Sequence, residues 1–219
     1  MLTFNDVKNN KAINEYIQRA DESLIALGYT EHSFAHVGRV ARDVEYILEA
    51  MGYSEHDVEV GKIAAYMHDI GNLVNRVDHS QSGAIMAFRI LDRLGMDEGD
   101  IATIVTAIGN HDEGTGVAVN PIAAALILAD KSDVRRSRVR NPDVSTFDIH
   151  DRVNYSVAES VLKIDKEKSI ILLKLTIETE YSSVMDYFEI FLGRMVMCRK
   201  AAERLGLRFS LSINDQILL

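Results

Sequence analysis

The sequence has very little cysteine and no long apolar run. Cys198 is the only cysteine among 219 residues, which excludes an intrachain disulfide and a zinc site built from several cysteines. The longest strongly apolar runs, 122–129 and 169–175, are too short to span a bilayer. The N-terminal residues contain no apolar stretch of signal-peptide length, so we expect a cytoplasmic protein that does not enter a membrane.

An excess of basic charge is also missing. The 24 lysines and arginines are outnumbered by 33 aspartates and glutamates, which gives a net charge of -9. Bulk charge therefore gives no reason to expect binding to nucleic acid or to an anionic membrane. An anionic substrate would have to be held by a local cluster of positive charge. The apolar fraction of 47% and the charged fraction of 26% are typical of a globular protein.

Helical periodicity dominates residues 1–140. Apolar residues recur every three to four positions, and glycines follow several of the periodic segments, which indicates amphipathic helices. Ser54 and Asp57 match a capping box, and Pro121 suits the first turn of a helix. We expect a compact helical bundle, because the connections between helices are short. The predicted helices lie near positions 13–27, 37–51, 54–69, 80–94, 97–111 and 121–136.

The apolar pattern changes after the polar segment 135–148, which contains Pro142 and is predicted to be a loop. Alternating apolar residues then predict two strands joined by a polar turn at 165–168, followed by an amphipathic helix and a last strand. These elements are expected at 158–164, 171–177, 184–205 and 207–213.

The two patterns together predict a mainly α fold with a small β-β-α-β appendage. We expect a helical domain over residues 1–140 and a C-terminal α+β unit over residues 150–219. So small a unit cannot bury its faces alone, so it should pack on the helical domain or on a second copy of itself. A homodimer through the C-terminal unit is therefore one expected assembly, and a lid over the substrate is the other role expected of this unit.

Ionisable residues occur at several positions where the helices are otherwise apolar. His68 and Asp69 end the apolar run 63–67, and the other residues of this kind are His36, His79, His111 and Asp130. Burying several carboxylates without partners is costly, and a divalent cation would supply the counter-charge. Imidazole and carboxylate ligands suit iron, manganese, zinc, nickel or cobalt better than calcium. For a single histidine such as His36, a hydrogen-bonded core residue is the competing interpretation.

The order of these residues resembles a known signature. His36, His68-Asp69 and Asp130 are similar to the H…HD…D pattern of the HD superfamily of metal-dependent phosphohydrolases. The strings SFAHVGRVARDVEYIL, AAYMHDIGN and ALILADKSDVRR resemble its three metal-ligand helices, over roughly residues 30–140. The resemblance implies a helical metal-binding domain that hydrolyses phosphate esters.

His79 and His111 extend the resemblance to HD enzymes with two metals, namely the HD-GYP phosphodiesterases and the HD-type dinucleoside polyphosphate hydrolases. The resemblance implies that His36, His68, Asp69 and Asp130 hold one metal, that Asp69 bridges, and that His79 and His111 hold the second. The string HDEGTG is similar to its HD-GYP counterpart, but Asp112 stands where a further histidine is usual and no Gly-Tyr-Pro follows. Cyclic di-GMP is therefore not the expected substrate.

The chemistry that follows is hydrolysis of a small phosphorylated, nucleotide-like substrate. Two divalent transition-metal ions, iron or manganese first, would lower the pKa of a bridging water toward ~7. Asp69 would be catalytic through the bridge. Lys131 first and Arg135 second are expected to meet phosphate charge, although the basic run around Arg135 can also be read as a solvated face.

Two other functions are compatible with the same residues. Some proteins with the HD fold resemble this site and use two irons to activate oxygen, so an oxygenase is one alternative. A metal-stabilised module that binds or regulates without catalysis is the other. Oxygen consumption without phosphate release would distinguish the first, and tight ligand binding without turnover would distinguish the second.

Overall fold

In the computed structural model, which describes residues 2–218, seven helices form the N-terminal part and a small sheet with two helices forms the C-terminal part. The N-terminal helices are α1 (Phe4–Lys8), α2 (Lys11–Ala26), α3 (Phe34–Ala50), α4 (Glu55–Met67), α5 (His79–Arg93), α6 (Glu98–Gly109) and α7 (Pro121–Ser132). The C-terminal elements are α8 (Ile149–Ser156), β1 (Val157–Asp165), β2 (Ile170–Ile177), α9 (Val184–Arg204), β3 (Arg208–Ile213) and β4 (Gln216–Ile217). The predicted mainly α fold with a small β-β-α-β appendage is confirmed.

Helix α7 lies at the centre of the fold. Every residue from Ile122 to Ser132 is buried, as expected for a helix that is apolar all round. It packs against α3, α4 and α6 on the N-terminal side and against α9 on the C-terminal side. Asp130 and Lys131 are therefore carried into the interior by the last turn of the most buried helix.

The helix ends show one point where prediction and structure agree and one where they differ. Ser54 accepts a hydrogen bond from the backbone N–H of Asp57, and the Asp57 carboxylate accepts one from the backbone N–H of Ser54, so the predicted capping box is present. Helix α7 was expected to continue to position 136, but it ends at Ser132. Asp133 leaves helical geometry, with ψ at 76°, and its side chain contacts α3 instead. This tertiary contact outweighs the local periodicity.

The sheet has the order β1-β2-β3-β4. Strands β1 and β2 form the predicted antiparallel hairpin, and the buried residues of β2 alternate as expected. Strand β3 pairs with β2 in parallel, with Leu211 opposite Leu173, so the chain needs a crossover between them. Helix α9 provides this crossover and packs between the sheet and α7.

The sheet contacts the helical part through β1. The Ser160 hydroxyl donates to the backbone carbonyl of Ser132 at 2.5 Å, and Arg39 of α3 donates to the Ser160 carbonyl at 2.6 Å. The division into units 1–140 and 150–219, and the homodimer, stay predictions. No helix within residues 2–218 has the length and apolar character needed to cross a membrane.

Candidate metal centre

The six predicted ligands lie on or beside the ends of five helices. His36 is in the first turn of α3, His68 and Asp69 follow α4, and His79 is the first residue of α5. His111 follows α6, and Asp130 is in the last turn of α7. All six are at most 9% exposed. The structure therefore brings together every residue of the predicted set inside the helical part.

One group of donor atoms surrounds a point between α3, α4 and α7. His36 Nε2 lies 3.3 Å from Asp130 Oδ1 and 3.6 Å from Asp69 Oδ2. His68 Nε2 lies 3.2 Å from Asp69 Oδ2 and 3.7 Å from Asp130 Oδ1. Two nitrogens and two oxygens thus converge at separations suited to ligands of one ion.

A second group uses the other oxygen of the same carboxylate. Asp69 Oδ1 lies 3.4 Å from His79 Nε2 and 3.8 Å from His111 Nε2, and these two nitrogens are 3.2 Å apart. Asp69 therefore directs Oδ2 to the first group and Oδ1 to the second. A carboxylate placed in this way can bridge two cations, as a single imidazole nitrogen cannot.

The orientation of the four histidine rings is set by their Nδ1 contacts. In each ring Nδ1 faces an oxygen that can only accept a hydrogen bond, so Nδ1 carries a hydrogen and Nε2 is the ring nitrogen that remains for a metal ion. These oxygens are the Asp133 carboxylate at 2.8 Å from His36 and the carbonyls of Ala65 at 2.7 Å from His68, Arg76 at 3.1 Å from His79 and Ile108 at 2.6 Å from His111. All four Nε2 atoms point to the centre, and Arg76 Nη1 lies 3.2 Å from that of His79.

This arrangement fits a bound cation. Among residues 2–218, His36 Nε2 and His68 Nε2 are buried without a hydrogen-bond partner, and the Nε2 atoms of His79 and His111 lie 3.2 Å apart. Burial lowers the pKa of His68, yet the adjacent Asp69 and Asp130 outweigh it and raise the pKa to about 10. The centre therefore requires positive charge, which divalent ions would supply. Nitrogen and oxygen donors suit the predicted transition metals.

A set of further polar contacts orients the ligands. Asp133 is fully buried and accepts from His36 Nδ1 at 2.8 Å and from Arg135 Nε at 2.9 Å. Asn72 donates to Asp69 Oδ1 at 3.1 Å. These groups fix the ring of His36 and the carboxylate plane of Asp69.

Replacement of Asp133 by asparagine is expected to weaken metal binding by about ten- to hundredfold, because carboxylate partners of ligating histidines have effects of this size. Titration against a chelator of known affinity measures the change. Asp100→Asn is the matched control, since Asp100 also pairs with a histidine, His56 at 2.8 Å, but away from the centre. Equal metal affinity in both variants would show that Asp133 does not support His36.

The predicted basic residues have different positions. Lys131 lies 2.8 Å from Asp130 Oδ2 and lines a cavity above the centre. Arg135 instead donates to Glu31 at 2.7 Å and to Asp133, and it is not among the residues that line this cavity. Its contact with substrate stays a prediction.

The cavity has a volume of about 430 Å³ and opens onto Asp69, His79 and His111. Its wall includes Arg138 of the predicted basic run. It also includes two arginines and two aromatic rings that the sequence did not single out, namely Arg76, Arg194, Tyr29 and Phe191. Arg76 could have been noticed, since it stands three residues before His79, but Arg194 lies far along the chain on α9 and no local signal connects it to the centre.

Comparison with known proteins agrees with this geometry. The sequence model of the HD domain matches residues 33–155, a segment that holds all six candidate ligands. An uncharacterized protein of Methanocaldococcus jannaschii is 25% identical over 193 residues, which covers 77% of this chain and 74% of that protein. Because the family match spans more than half of the chain, the protein belongs to the HD domain family, whose members are generally metal-dependent phosphohydrolases.

Proposed function

We propose that this chain is a phosphohydrolase that uses two divalent transition-metal ions, iron or manganese, to cleave a phosphoester or phosphoanhydride of a nucleotide-like substrate. One observation carries the proposal. The two oxygens of Asp69 face separate groups of imidazole Nε2 atoms at the floor of a cavity whose wall carries cationic side chains.

The residues that would hold the ions follow from the distances. His36, His68, Asp69 Oδ2 and Asp130 would bind one ion, and Asp69 Oδ1, His79 and His111 would bind the other. Bound divalent ions lower the pKa of water toward ~7 and polarise phosphoryl oxygens. The chain's own contribution is a rigid donor set, because each ring is fixed through its Nδ1–H and Asp69 is fixed by Asn72.

The cavity wall supports an anionic substrate. Lys131 and Arg76 lie beside the centre: Lys131 contacts Asp130, and Arg76 Nη1 is 3.2 Å from His79 Nε2. In a chain of net charge -9, such local cations would attract phosphate and stabilise negative charge that spreads in the transition state.

A nucleotide-like substrate is supported by the size and rim of the cavity. About 430 Å³ is within the range of pockets for small organic ligands, roughly 300–1,000 Å³. Leu27 and Tyr29 line the cavity and remain 62% and 44% exposed. An aromatic ring beside the cationic floor could stack on a base while the phosphates face the metals.

The proposal is tested by measuring metal content and phosphate release together in the wild type and in His79→Ala. The wild type, purified without oxygen, is expected to hold about two transition-metal ions and to release phosphate from some member of a nucleotide panel. His79→Ala removes one of three donors of the second group, so it is expected to hold about one ion and to lose most of the activity.

His56→Ala is the matched control, because His56 is an exposed histidine that pairs with Asp100 at 2.8 Å away from the centre. Removal of metal with a chelator should stop phosphate release, and adding back manganese or iron should restore it. Oxygen consumption without phosphate release, or tight nucleotide binding without turnover under every metal condition, would contradict the proposal and favour the oxygenase or the non-catalytic module.

A further inference from the structure

Arg194 of α9 has a guanidinium group that is fixed in place but retains unused donors. Its Nε forms an ion pair with Glu113 Oε1 at 2.5 Å, and its Cζ lies 4.3 Å from the centre of the Phe191 ring. The side chain is 25% exposed and lines the cavity above the candidate metal centre. Across residues 2–218, no hydrogen bond uses its Nη1 or Nη2. The group is therefore held at one edge and on one face, with two N–H₂ groups available to a ligand.

Two other arginines near the centre donate several of their N–H groups to the protein itself. Arg138 also lines the cavity, but its Nε donates to the Glu31 carbonyl at 2.8 Å and its Nη1 to the Asp133 carbonyl at 2.6 Å. Arg135 is bound by two carboxylates. A guanidinium with both terminal nitrogens available matches two phosphate oxygens at once, and its fixed position reduces the entropy lost on binding.

The contacts also show that Lys131 lies nearer to the candidate metal centre than Arg194 does. Lys131 Nζ is 2.8 Å from the oxygen of Asp130 and 3.6 Å from Glu113 Oε1, the same atom that Arg194 contacts. Glu113 thus separates the two cations, and Arg194 lies one side chain further from the candidate ligands than Lys131. A phosphoryl group at the centre can meet Lys131, whereas Arg194 is placed for the next phosphoryl group along the substrate.

We infer that Arg194 binds a phosphoryl group that is not cleaved, so that the substrates carry two or more phosphoryl groups. The inference rests on the proposed phosphohydrolase function for the reacting end. It assigns substrate selection to α9, a helix outside the segment 33–155 that matches the HD domain.

The test compares wild type, Arg194→Gln and Arg199→Gln. Arg199 is an exposed arginine of the same helix, so it controls for the loss of one positive charge on α9. Values of kcat and KM are measured for a nucleoside monophosphate, diphosphate and triphosphate. In Arg194→Gln, KM for the diphosphate and triphosphate is expected to rise about ten- to hundredfold, the effect of one charged hydrogen-bonded contact. KM for the monophosphate, kcat, and all values for Arg199→Gln should stay close to those of the wild type.

Calorimetric binding of inorganic pyrophosphate and of orthophosphate, in the presence of metal, separates the inference from the proposed function. Weaker binding of pyrophosphate alone in Arg194→Gln supports the inference even if no nucleotide is hydrolysed, an outcome that would overturn only the proposed function. Normal turnover with unchanged pyrophosphate binding, or equal weakening for both anions, would overturn the inference and leave the proposed function standing. Arg194→Lys keeps the charge but not the two-pronged contact, so it should recover only part of the pyrophosphate affinity.

Discussion

Replacement of Asp69 by asparagine is expected to reduce phosphate release by about a thousandfold or more. Asp69 is the only candidate ligand that faces both donor groups, through Oδ2 toward His36 and Oδ1 toward His79. The variant loses a negative charge and one potential coordinating oxygen, so both ions of the proposed site should be held less well. Metal ions supply several kcal/mol of charge stabilisation in such reactions, and about 4 kcal/mol corresponds to a thousandfold change in rate.

The fold of the Asp69→Asn variant is expected to persist. The amide has nearly the same shape, and burying it costs less than burying a carboxylate without metal. The measurements are kcat, metal content and the circular dichroism spectrum. Asp100→Asn is the matched control, because Asp100 pairs with the exposed His56 and its change should leave activity within about twofold. Full activity in a folded Asp69→Asn variant would exclude the bridging role.

Replacement of Gly71 by alanine is expected to destabilise the protein by at least about 3 kcal/mol, because the added carbon overlaps backbone rather than flexible side chains. A Cβ at Gly71 would lie 1.9 Å from the carbonyl oxygen of His79 and 2.4 Å from the backbone nitrogen of Gly83. The first turn of α5 would have to move away from the segment that carries Asp69. In the molecules that still fold, His79 should no longer reach Asp69, so the second ion should be lost first.

Gly38→Ala serves as the control for Gly71→Ala. Gly38 lies inside α3 and a Cβ there would meet nothing within 4 Å. Alanine at this helical position is expected to stabilise the protein by roughly 0.5–1 kcal/mol. Urea unfolding of the wild type and both variants measures the two changes in the free energy of unfolding, which are expected to have opposite signs. An unfolding midpoint of Gly71→Ala equal to that of the wild type would contradict the close packing between α5 and the segment after α4.

The fold could be predicted where burial imposes a period on the sequence. Helices α2 to α7 and the alternating strand β2 each bury one face or a whole surface, so their apolar spacing is visible. Helix α8 has one buried aliphatic residue, Val153, and β4 has two exposed residues, so neither leaves a periodic signal. The end of α7 was predicted too far along the chain. Asp133 leaves the helix because its side chain contacts His36, a residue far away in the sequence.

The candidate centre was visible for the opposite reason, because ionisable residues interrupt apolar helices. His68 and Asp69 stand out directly after a buried run. Lys131 was the residue of the cavity wall expected first from the sequence. Most of the wall was not visible, since it is assembled from separate segments, and Arg194 becomes relevant only when α9 packs on α7. The run of basic residues after Asp130 suggested that Arg135 meets substrate, but in the fold its guanidinium turns to Glu31 and Asp133.

The distribution of the candidate ligands over five helices has a consequence for the lifetime of the protein. Residues 36 to 130 come together only in the folded chain, so the unfolded chain offers no comparable site, and metal binding adds to the free energy of unfolding. At a free metal concentration of about 100 times Kd, this linkage amounts to about 2.7 kcal/mol. A shift of that size changes the fraction of unfolded molecules by about a hundredfold. Metal supply would thus govern how rapidly proteases remove the protein, independently of whether substrate is present.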